Sequence, residues 1–465
     1  MIETWAVVCI FLLSITSTVG LILHRPFLNI RLGQSYVRME TYFLGALLAP
    51  VLILVFGFMR SSDMLAGLEG SAGLDPVGIL ALFLSMVFIS IFLDITGVFE
   101  FCARMALRIA GHNRRKLFLS LYITVSILTL FTSNDILILT FTPLVVSFCR
   151  QAKLPATPYL IAEFFAANTW SMLLVVGNPT NILIAGAFHL DFLRYALWMI
   201  LPTFAAGGVQ VILLLRVFRR ELTGDAYTGP SLKPSEAITD RWGAVLGTGL
   251  LAACIAGLAM APRWGIPLWH MALASAMGLL LTLIARRSWA RFLRQDRSIL
   301  MGGPGFRQSF RRMPWPIIPF ILSQFIAVEA LRLQGISSTI AASLQSWCGS
   351  SVPRAIALYG VLSTLTANLV NNIPMTLGFT SLLDGLTEPS LRMAALSTII
   401  GSNLGANLTP IGALAGLMWM SLLREKDVPI SFFQFVIYGL WITPLSLFAS
   451  LAVLCAQAAW TLRCP

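Results

Sequence analysis

Residues 131–143 read Phe-Thr-Ser-Asn-Asp-Ile-Leu-Ile-Leu-Thr-Phe-Thr-Pro, and this stretch decides the fold. It lies inside an apolar run that extends from Leu117 to Phe148. The stretch contains four consecutive side chains that form hydrogen bonds: Thr132, Ser133, Asn134 and Asp135. In hydrocarbon such side chains, and a carboxylate above all, are costly unless they have partners or line a wet cavity. The stretch is therefore predicted to be a functional site.

Three similar breaks interrupt apolar runs further along the chain. They are Gly-Asn-Pro-Thr-Asn at 177–181, Asn-Leu-Val-Asn-Asn-Ile-Pro at 368–374, and Asn-Leu-Gly-Ala-Asn-Leu-Thr-Pro-Ile-Gly at 403–412. In each half of the chain, a polar stretch precedes a second break by about 35 to 45 residues. Four breaks in two matched pairs indicate two related units.

The composition fixes the broad class of protein. Hydrophobic residues make up 57% of the chain and charged residues only 11%, so most of it is soluble only in lipid. The net charge of +12 comes from basic residues between apolar segments, which is typical of membrane topology and not of nucleic-acid binding. Seven cysteines without a CxxC pair suggest neither a disulfide framework nor a metal cage. Residues 4–23 are predicted to be a retained span and not a cleaved signal.

The apolar segments have lengths that distinguish spans from hairpins. Those in the first half are 4–23, 41–59, 77–96, 117–131, 136–149, 158–188 and 192–215; those in the second are 243–261, 267–285, 315–334, 354–369, 373–386, 391–422 and 432–460. A spanning helix needs about 20 residues, so 117–131 and 136–149 are too short to cross singly. Joined at the polar stretch, they form a re-entrant helical hairpin. Gly177 and Pro179 make 158–188 a broken helix.

The second half repeats this series of segments. Aligning Asn134 with Asn371 pairs Asp135 with Asn372, and aligning Asn168 with Asn403 pairs Gly177 with Gly412. The predicted fold is an all-α polytopic membrane protein of two inverted-topology repeats. Each repeat has three spans, a re-entrant helical hairpin, a broken helix and a final span. The first repeat covers 1–218, a cytoplasmic linker covers 219–241, and the second repeat covers 242–465.

The basic residues predict how the repeats are oriented. The loops predicted to lie on the cytoplasmic side are 24–40, 97–116, 150–157, 216–242, 286–314 and 423–427, and they hold 25 of the 32 Lys and Arg residues. Both ends of the first hairpin are basic, whereas the second ends beside Asp384 and Glu388. The positive-inside rule therefore predicts that the two hairpins enter the membrane from opposite sides. In transporters of this design, the two repeats share a site near the midplane of the membrane.

The breaks supply a set of candidate ligands for substrate and ions. The candidates are Thr132, Ser133, Asn134, Asp135, Asn168, Gly177, Asn178, Pro179, Thr180, Asn181, Asn371, Asn372, Pro374, Asn403, Asn407, Thr409, Pro410 and Gly412. Amides and hydroxyls both donate and accept hydrogen bonds, and the open helix ends carry partial charges of both signs, which suits a small oxygen-rich solute. Asp135, Glu163 and Glu329 are candidates for coupling to a cation. Asp135 could instead cap a helix, and the asparagines could instead only join helices.

Together these motifs resemble the ArsB/NhaD group of arsenite permeases and sodium/proton antiporters. The resemblance rests on Leu-Asp-Ile-Thr-Gly-Val-Phe-Glu at 93–100, Gly-His-Asn-Arg-Arg-Lys at 111–116, Ser-Asn-Asp at 133–135, Asn-Asn-Ile-Pro at 371–374 and Asn-Leu-Thr-Pro-Ile-Gly at 407–412. The wider superfamily also holds citrate and dicarboxylate carriers. The resemblance implies sodium at the first tip, where Ser133, Asn134 and Asn178 are the candidates. In the dicarboxylate branch each tip reads Ser-Asn-Thr; here Asp135 and Asn372 stand at the third position.

We therefore expect a secondary transporter in the inner membrane. Its substrate is a small anion or an oxyanion or hydroxide such as arsenite, driven by protons or sodium, and it requires no cofactor beyond a sodium ion. A sodium/proton antiporter on the same scaffold is the alternative. A channel or a membrane-embedded enzyme is a third interpretation, disfavoured because the sequence has no metal, nucleotide or nucleophile motif. The lipid bilayer is the expected partner, nucleic acid is not, and a homodimer is left open.

Overall fold

The computed structural model of the protein describes residues 2–32, 35–69, 75–224, 227, 233–292 and 306–463. The first half contains α1 Ile2–His24, β1 Phe27–Leu32, β2 Ser35–Glu40, α2 Tyr42–Val55, α3 Ser61–Glu69, α4 Pro76–Ile95, α5 Val98–Ala110, α6 Arg114–Phe131, α7 Asn134–Gln151, α8 Thr157–Trp170, α9 Pro179–Ala187, α10 Phe192–Val217 and α11 Arg219–Leu222. The second contains α12 Arg241–Met260, α13 Leu268–Phe292, α14 Phe306–Arg312, α15 Ile317–Leu333, α16 Ile336–Cys348, α17 Val352–Val370, α18 Asn372–Leu383, α19 Ser390–Gly405, α20 Leu414–Glu425 and α21 Phe432–Arg463.

The spans predicted from the apolar segments are present as helices. Within the described ranges, six helices are long and apolar enough to cross a membrane: α1, α4, α10, α12, α13 and α21. Helices α15 and α16 pass the same test together and bend by 73° at their junction. The predicted span 41–59 is shorter than expected, because α2 ends at Val55 and Gly57 adopts a left-handed φ of 71°. The prediction of a multi-pass helical membrane protein is confirmed.

Both predicted hairpins are present. The Tyr227 hydroxyl donates to Gly111 O at 2.8 Å, just before α6, and the Tyr227 ring lies 5.8 Å from the ring of Phe148 near the end of α7. One residue thus contacts the start of α6 and the end of α7, so this pair of helices returns to the side from which it started. In the second half, Tyr359 near the start of α17 donates to Leu382 O at the end of α18, at 2.9 Å.

The two long apolar segments that follow the hairpins are broken helices, as predicted. Helix α8 stops at Trp170, and two 3₁₀ turns, Ser171–Leu173 and Val175–Gly177, separate it from α9. Helices α19 and α20 are likewise separated by the turn Pro410–Gly412. Gly177 is required at the first break because a Cβ there would overlap Ser171 O. Each break frees backbone groups in the middle of a buried segment.

Matched glycines show how closely the halves correspond. Gly97 joins α4 to α5 with a φ of 89°, and Gly335 joins α15 to α16 with a φ of 71°. Gly111 ends α5 with a φ of 59°, and Gly349 ends α16 with a φ of 55°. Only glycine adopts these conformations at little energetic cost. In each half, one glycine therefore stands between a span and the helix that follows it, and a second stands between that helix and the hairpin.

Several elements were not predicted from the sequence. The predicted loop 24–40 contains the antiparallel strands β1 and β2, and the predicted loop 97–116 contains α5. Helix α16, which follows α15 as α5 follows α4, was not predicted either. Helices α5 and α16 are amphipathic and hence do not stand out as apolar segments. Residues 225–226 and 228–232 of the predicted linker, and 293–305 of the predicted basic loop, lie outside the described residues.

Candidate functional site

Asn403 joins the two broken helices at the centre of the molecule. Its Oδ1 accepts a hydrogen bond from Asn178 Nδ2 at 2.9 Å and lies 2.8 Å from Ser171 Oγ. Its Nδ2 donates to Asn181 Oδ1 at 2.7 Å and to Ile399 O at 2.8 Å. The Ser171 hydroxyl also lies 2.8 Å from Asn168 O, and its single proton can be donated to only one of the two oxygens. The side chain of Asn403 is fully buried, both of its polar atoms have partners, and in this conformation it holds the two halves together.

Asn178 and Asn181 also have partners for both polar atoms of their side chains at the first break. Asn178 Oδ1 caps α9 by accepting from Thr180 N at 3.1 Å and from Thr180 Oγ1 at 3.0 Å. Asn181 Nδ2 donates to Ser171 O at 2.8 Å and to Leu174 O at 3.0 Å. These amides satisfy backbone groups that the break leaves unpaired. In this conformation the structure gives both asparagines a supporting position at the first break.

The tip of the first hairpin differs because it keeps unused polar atoms. Asn134 Nδ2 donates to Asn168 Oδ1 at 2.9 Å, which fixes the tip against α8. Asn134 Oδ1 and Ser133 Oγ are buried and have no hydrogen-bond partner among the described residues. An unpaired buried polar atom costs about 1–3 kcal/mol, so the tip is a place where a bound ligand would gain stability. Thr132, by contrast, is satisfied by its own helix through Leu128 O at 2.8 Å.

The tip of the second hairpin is held by its neighbouring break. Asn371 adopts a left-handed φ of 74° and donates from Nδ2 to Ile411 O at 3.1 Å. Asn368 Oδ1 accepts from Thr409 Oγ1 at 2.6 Å, and its Nδ2 donates to Gly405 O at 2.9 Å. The second tip is therefore tied to the break between α19 and α20. The remaining candidates here are buried: Asn372, Pro374, Pro410 and Gly412.

A second network crosses between the halves through Asn407. Asn407 Nδ2 donates to Thr169 Oγ1 at 3.0 Å, and Gln210 Nε2 donates to the same oxygen at 2.6 Å. Gln210 Oε1 in turn accepts from the Tyr122 hydroxyl at 3.0 Å. Asn407 Oδ1 is buried without a partner among the described residues. The network thus ends on one more unused acceptor in the second break.

A cavity of about 780 Å³ runs from the surface to the first hairpin tip. Its inner part is lined by Ser133 and Asp135, together with Tyr42. Its mouth contains the exposed residues Arg311 and Glu425. The charged side chains that line it, among the residues that the structure describes, are Glu40, Asp94, Glu100, Asp135, Glu425, Arg311 and Arg312. Carboxyl groups outnumber guanidinium groups in this set, which gives the described lining a negative character.

Asp135 occupies the position in this cavity that the sequence pattern suggested. It is the second residue of α7, and its half-buried side chain faces the cavity. The residue at the start of that helix, Ser133, makes no side-chain cap bond. A carboxyl group at a buried helix start with access to a cavity can bind a cation or a proton.

Glu163 lies in a separate, closed environment. Thr142 Oγ1 lies 2.7 Å from Ile138 O and 2.9 Å from Glu163 Oε1, and it accepts from Trp419 Nε1 at 3.0 Å. The threonine hydroxyl has one proton, so it can donate to one of these oxygens only. If it donates to Ile138 O, Glu163 must itself donate to Thr142. In either case Thr142 and Glu163, together with Trp419, join α7, α8 and α20.

The third coupling candidate, Glu329, lies away from the tips. It pairs with Arg332 at 2.6 Å, one turn further along α15. Both line a small cavity of about 30 Å³ that also includes Asp384 and Thr380. The sequence predicts Glu329 inside a span. In the structure it lies near the end of that span and pairs with Arg332.

The candidate ligands chosen from the sequence leave out several polar residues that the structure brings to the breaks, the tips and the cavity. They are Glu40, Tyr42, Tyr122, Thr142, Thr169, Ser171, Gln210, Asn368 and Trp419. Ser171, Thr169 and Gln210 carry a weak signal, since polar residues are rare in apolar segments. Glu40 carries none, because it lies in a segment predicted to be a loop.

The chain has clear relatives among known proteins. The family described as "CitMHS: Citrate transporter" matches residues 41–396. The "Arsenical pump membrane protein" of Escherichia coli strain K12 is 28% identical over 387 residues, which cover 82% of this chain and 87% of the relative. The "46 kDa membrane protein" of Mycobacterium leprae is 25% identical over 417 residues, covering 87% and 91% of the two chains. The resemblance found in the motifs is thus confirmed across most of the chain.

Solved structures share the fold at low sequence identity. The YdaH transporter of Alcanivorax borkumensis superposes with a TM-score of 0.56 over 98% of both chains, at 15% identity. MtrF of Neisseria gonorrhoeae superposes with a TM-score of 0.55 over 97% of this chain and 94% of MtrF, at 12% identity. These two structures agree with the helical transporter fold described above.

Proposed function

The chain belongs to the citrate transporter family, and on that premise we propose that it is a secondary active transporter of a small oxygen-rich solute of the arsenite type. Membership makes the chain a multi-pass protein of the inner membrane, and a transporter rather than an enzyme. The observation that carries the proposal is the cavity that ends beside the first hairpin tip, where Ser133 lines it and Ser133 Oγ has no partner among the described residues. We also propose that transport of the solute is coupled to protons or sodium.

The charge of the cavity favours an uncharged solute over a polycarboxylate. Among the described residues, its lining has five carboxyl groups and two guanidinium groups: Glu40, Asp94, Glu100, Asp135 and Glu425 against Arg311 and Arg312. Like charges at close range repel strongly where the dielectric constant is low. Citrate is a tricarboxylate, whereas arsenous acid is an uncharged trihydroxide at neutral pH. The E. coli relative is named as an arsenical pump, which agrees with this reasoning.

The unused atoms at the tip suit the chemistry of such a solute. Ser133 Oγ can donate or accept, and Asn134 Oδ1 can accept from a hydroxyl group of the solute or bind sodium. Asn178, the third predicted sodium ligand, already uses its Oδ1 to cap α9. A sodium site would therefore rest on Ser133, Asn134 and the carboxylate of Asp135. The same carboxylate supports the sodium/proton antiporter alternative, in which the cation is itself the cargo.

Inverted repeats would let access to this site alternate. The proposal is supported by contacts at the ends of the hairpins. Arg150, at the end of the first hairpin, donates to Lys426 O after α20. Asp384, at the end of the second, lines a cavity with Phe188 after α9. Since each broken helix runs from one side to the other, these contacts favour hairpins that open on opposite sides. The cavity then faces the cytoplasm.

The topology can be tested by labelling single cysteines in intact cells. We expect Lys233→Cys, in the predicted cytoplasmic linker, to react only with membrane-permeant thiol reagents. Glu388→Cys, beyond the second hairpin, should react with impermeant reagents. Both positions are exposed, so a lack of reaction reflects the side of the membrane and not burial. Exposed native Cys9 is replaced first, to remove background labelling. Reaction of both positions from the same side would contradict the inverted arrangement.

The proposed substrate class can be tested with purified protein in a thermal-shift measurement. A ligand that binds only the folded state raises the unfolding temperature by mass action, by about 2.7 kcal/mol in stability at a hundredfold excess over Kd. We expect arsenite to raise the unfolding temperature and citrate to leave it unchanged, each measured with and without sodium. A shift with citrate and none with arsenite would refute the proposed substrate. A shift with sodium alone would favour the antiporter.

A further inference from the structure

The small cavity of about 30 Å³ that contains Glu329 and Arg332 is built in the same way as the large cavity of about 780 Å³. Each is lined by a span of one half, α4 or α15, and by the second arm of the hairpin of that half, α7 or α18. Each is also lined by the second part of the broken helix of the other half, α20 or α9. The two cavities therefore occupy equivalent places in the two halves.

The same positions of the two spans face the two cavities. They precede the glycine that joins each span to the next helix, Gly97 or Gly335, by ten, six and three residues. The lining residues at these positions are Val87, Ile91 and Asp94 in the large cavity and Phe325, Glu329 and Arg332 in the small one. Because residues three and four apart share one face of a helix, the same face of each span is turned to its cavity.

The second arms of the two hairpins match in the same way. Two positions on each arm, the fifth and the ninth after its first residue, line the cavity. They are Leu139 and Pro143 in α7 and Leu377 and Ser381 in α18. Counted from the helix starts, Asn134 corresponds to Asn372, one position away from the pairing that the sequence suggests. The walls of the two cavities thus correspond residue by residue.

The two cavities differ greatly in volume. A cavity of about 30 Å³ has room for little more than water, so a solute cannot pass through it, whereas the large cavity is open to the surface. In the proposed topology the hairpins open on opposite sides, which has the small cavity facing outward. One end of the route is then open while its equivalent is closed, as alternating access requires.

An ion pair occupies the small cavity. Arg332 donates from Nε to Glu329 Oε2 at 2.7 Å and from Nη2 to Glu329 Oε1 at 2.6 Å, so both carboxylate oxygens are held. The Glu329 side chain is 13% exposed. Gly67 of α3 lies against it, since a Cβ at Gly67 would be 3.3 Å from Glu329 Cγ. The pair therefore fills the space that α3, α15 and α18 enclose.

We propose that the small cavity is the outer end of the solute route and that the Glu329–Arg332 pair is the gate that closes it in this conformation. This rests on the proposed function, because the gate belongs to the same transport route. A carboxylate and a guanidinium that hold each other leave little charge to attract water. When the pair breaks, both charged groups need hydration, so water enters and α15 and α18 can separate.

The equivalent positions of the first half cannot form this pair. Ile91 stands at the position of Glu329, and Asp94 stands at the position of Arg332. Asp94 pairs instead with Arg312 of α14, at 2.7 Å. Loss of the Glu329–Arg332 pair should therefore open the outer end of the route without opening the cytoplasmic end further.

The gate can be tested by labelling Ser381→Cys in intact cells with an impermeant thiol reagent. Ser381 is half-buried in the wall of the small cavity, and the exposed native Cys9 is replaced first. We expect slow labelling while the pair is intact. Adding Arg332→Gln should raise the rate about tenfold or more, because the closed state loses a charge-assisted pair with two hydrogen bonds.

Glu329→Gln is the second gate variant, and it serves alone if Arg332→Gln does not fold. It removes the opposite charge, so a rise in both variants cannot be a direct effect of local charge on the thiol. The control is Arg392→Gln, which breaks the pair between Arg392 and Glu388 beside a different cavity of the same face. Its labelling rate should match that of Ser381→Cys alone.

A cysteine in the large cavity separates opening of the gate from general loosening. Thr140→Cys, labelled in inside-out vesicles, should react at the same rate or more slowly when Arg332→Gln is added. An unchanged Ser381→Cys rate in both gate variants, or an equal rise at Thr140→Cys, would overturn the gate. The labelling needs no solute, so a wrong assignment of arsenite would leave it intact. Arsenite transport with unchanged labelling would retain the proposed function and refute the gate.

Discussion

Asp135→Asn is expected to abolish transport driven by a pH or sodium gradient while leaving the protein folded. The carboxyl group lines the inner part of the cavity beside Ser133. Asparagine keeps the size of the side chain and is well tolerated at the start of a helix, so the hairpin tip should keep its shape. It cannot bind and release a proton. In proteoliposomes, gradient-driven arsenite flux should fall to the level of protein-free vesicles, a loss of at least about a hundredfold or about 2.7 kcal/mol.

Exchange of solute between the two sides provides the contrast. Exchange does not require the cation to be released alone, so it should survive in Asp135→Asn better than driven flux. Asp427→Asn makes the same chemical change at an exposed residue with a φ of 55°, which asparagine accepts, and should behave like the wild type. Driven flux at the wild-type rate, with wild-type pH and sodium dependence, would show that Asp135 does not couple. Glu163 and Glu329 would then be the next candidates.

Asn403→Ala is expected to cause a larger loss of stability than any of the other substitutions. Alanine removes the hydrogen bonds of the side chain and leaves Asn178 Nδ2 and Asn181 Oδ1 without these partners in a fully buried place. Each unpaired group costs about 1–3 kcal/mol, and losses above about 4–5 kcal/mol are exceptional for one residue. We expect a loss of about 3–5 kcal/mol, read as a clear fall in the unfolding temperature of the purified protein.

Ser450→Ala is the matched control for this loss. Ser450 is as deeply buried as Asn403, but its hydroxyl has no partner among the described residues. Removing an unpaired hydroxyl should leave the unfolding temperature close to that of the wild type or raise it slightly. An equal effect of the two substitutions would mean that burial matters and the network does not. The claim that Asn403 joins the halves would then be wrong.

The sequence predicted the breaks well because they are local features. A polar side chain, a glycine or a proline inside an apolar run changes what the backbone can do at that point. Phe131 is the last residue of α6 and Asn134 the first of α7, and Trp170 and Pro179 bound the first broken helix, close to the predicted limits. The hairpins and broken helices therefore follow from the order of residues along the chain.

What each polar residue does could not be derived in the same way. Asn403 and Asn134 are both asparagines at breaks. Both polar atoms of the Asn403 side chain have partners, whereas Asn134 Oδ1 has none among the described residues. The difference depends on which distant groups lie within about 3 Å, and that is a property of packing. Glu40 lines the same cavity as Asp135 because β1 and β2 form a hairpin that brings residue 40 there. A sequence pattern has no access to such an arrangement.

Flux of arsenite and citrate into proteoliposomes that contain the purified wild-type chain is the decisive test of the proposed transport. Among the described residues, the cavity has a negative lining and ends beside Ser133 of the first hairpin tip, whose hydroxyl has no partner there. We expect arsenite to accumulate above the leak of protein-free vesicles only when a pH or sodium gradient is imposed, and citrate not to accumulate. Citrate accumulation without arsenite accumulation would contradict the proposal.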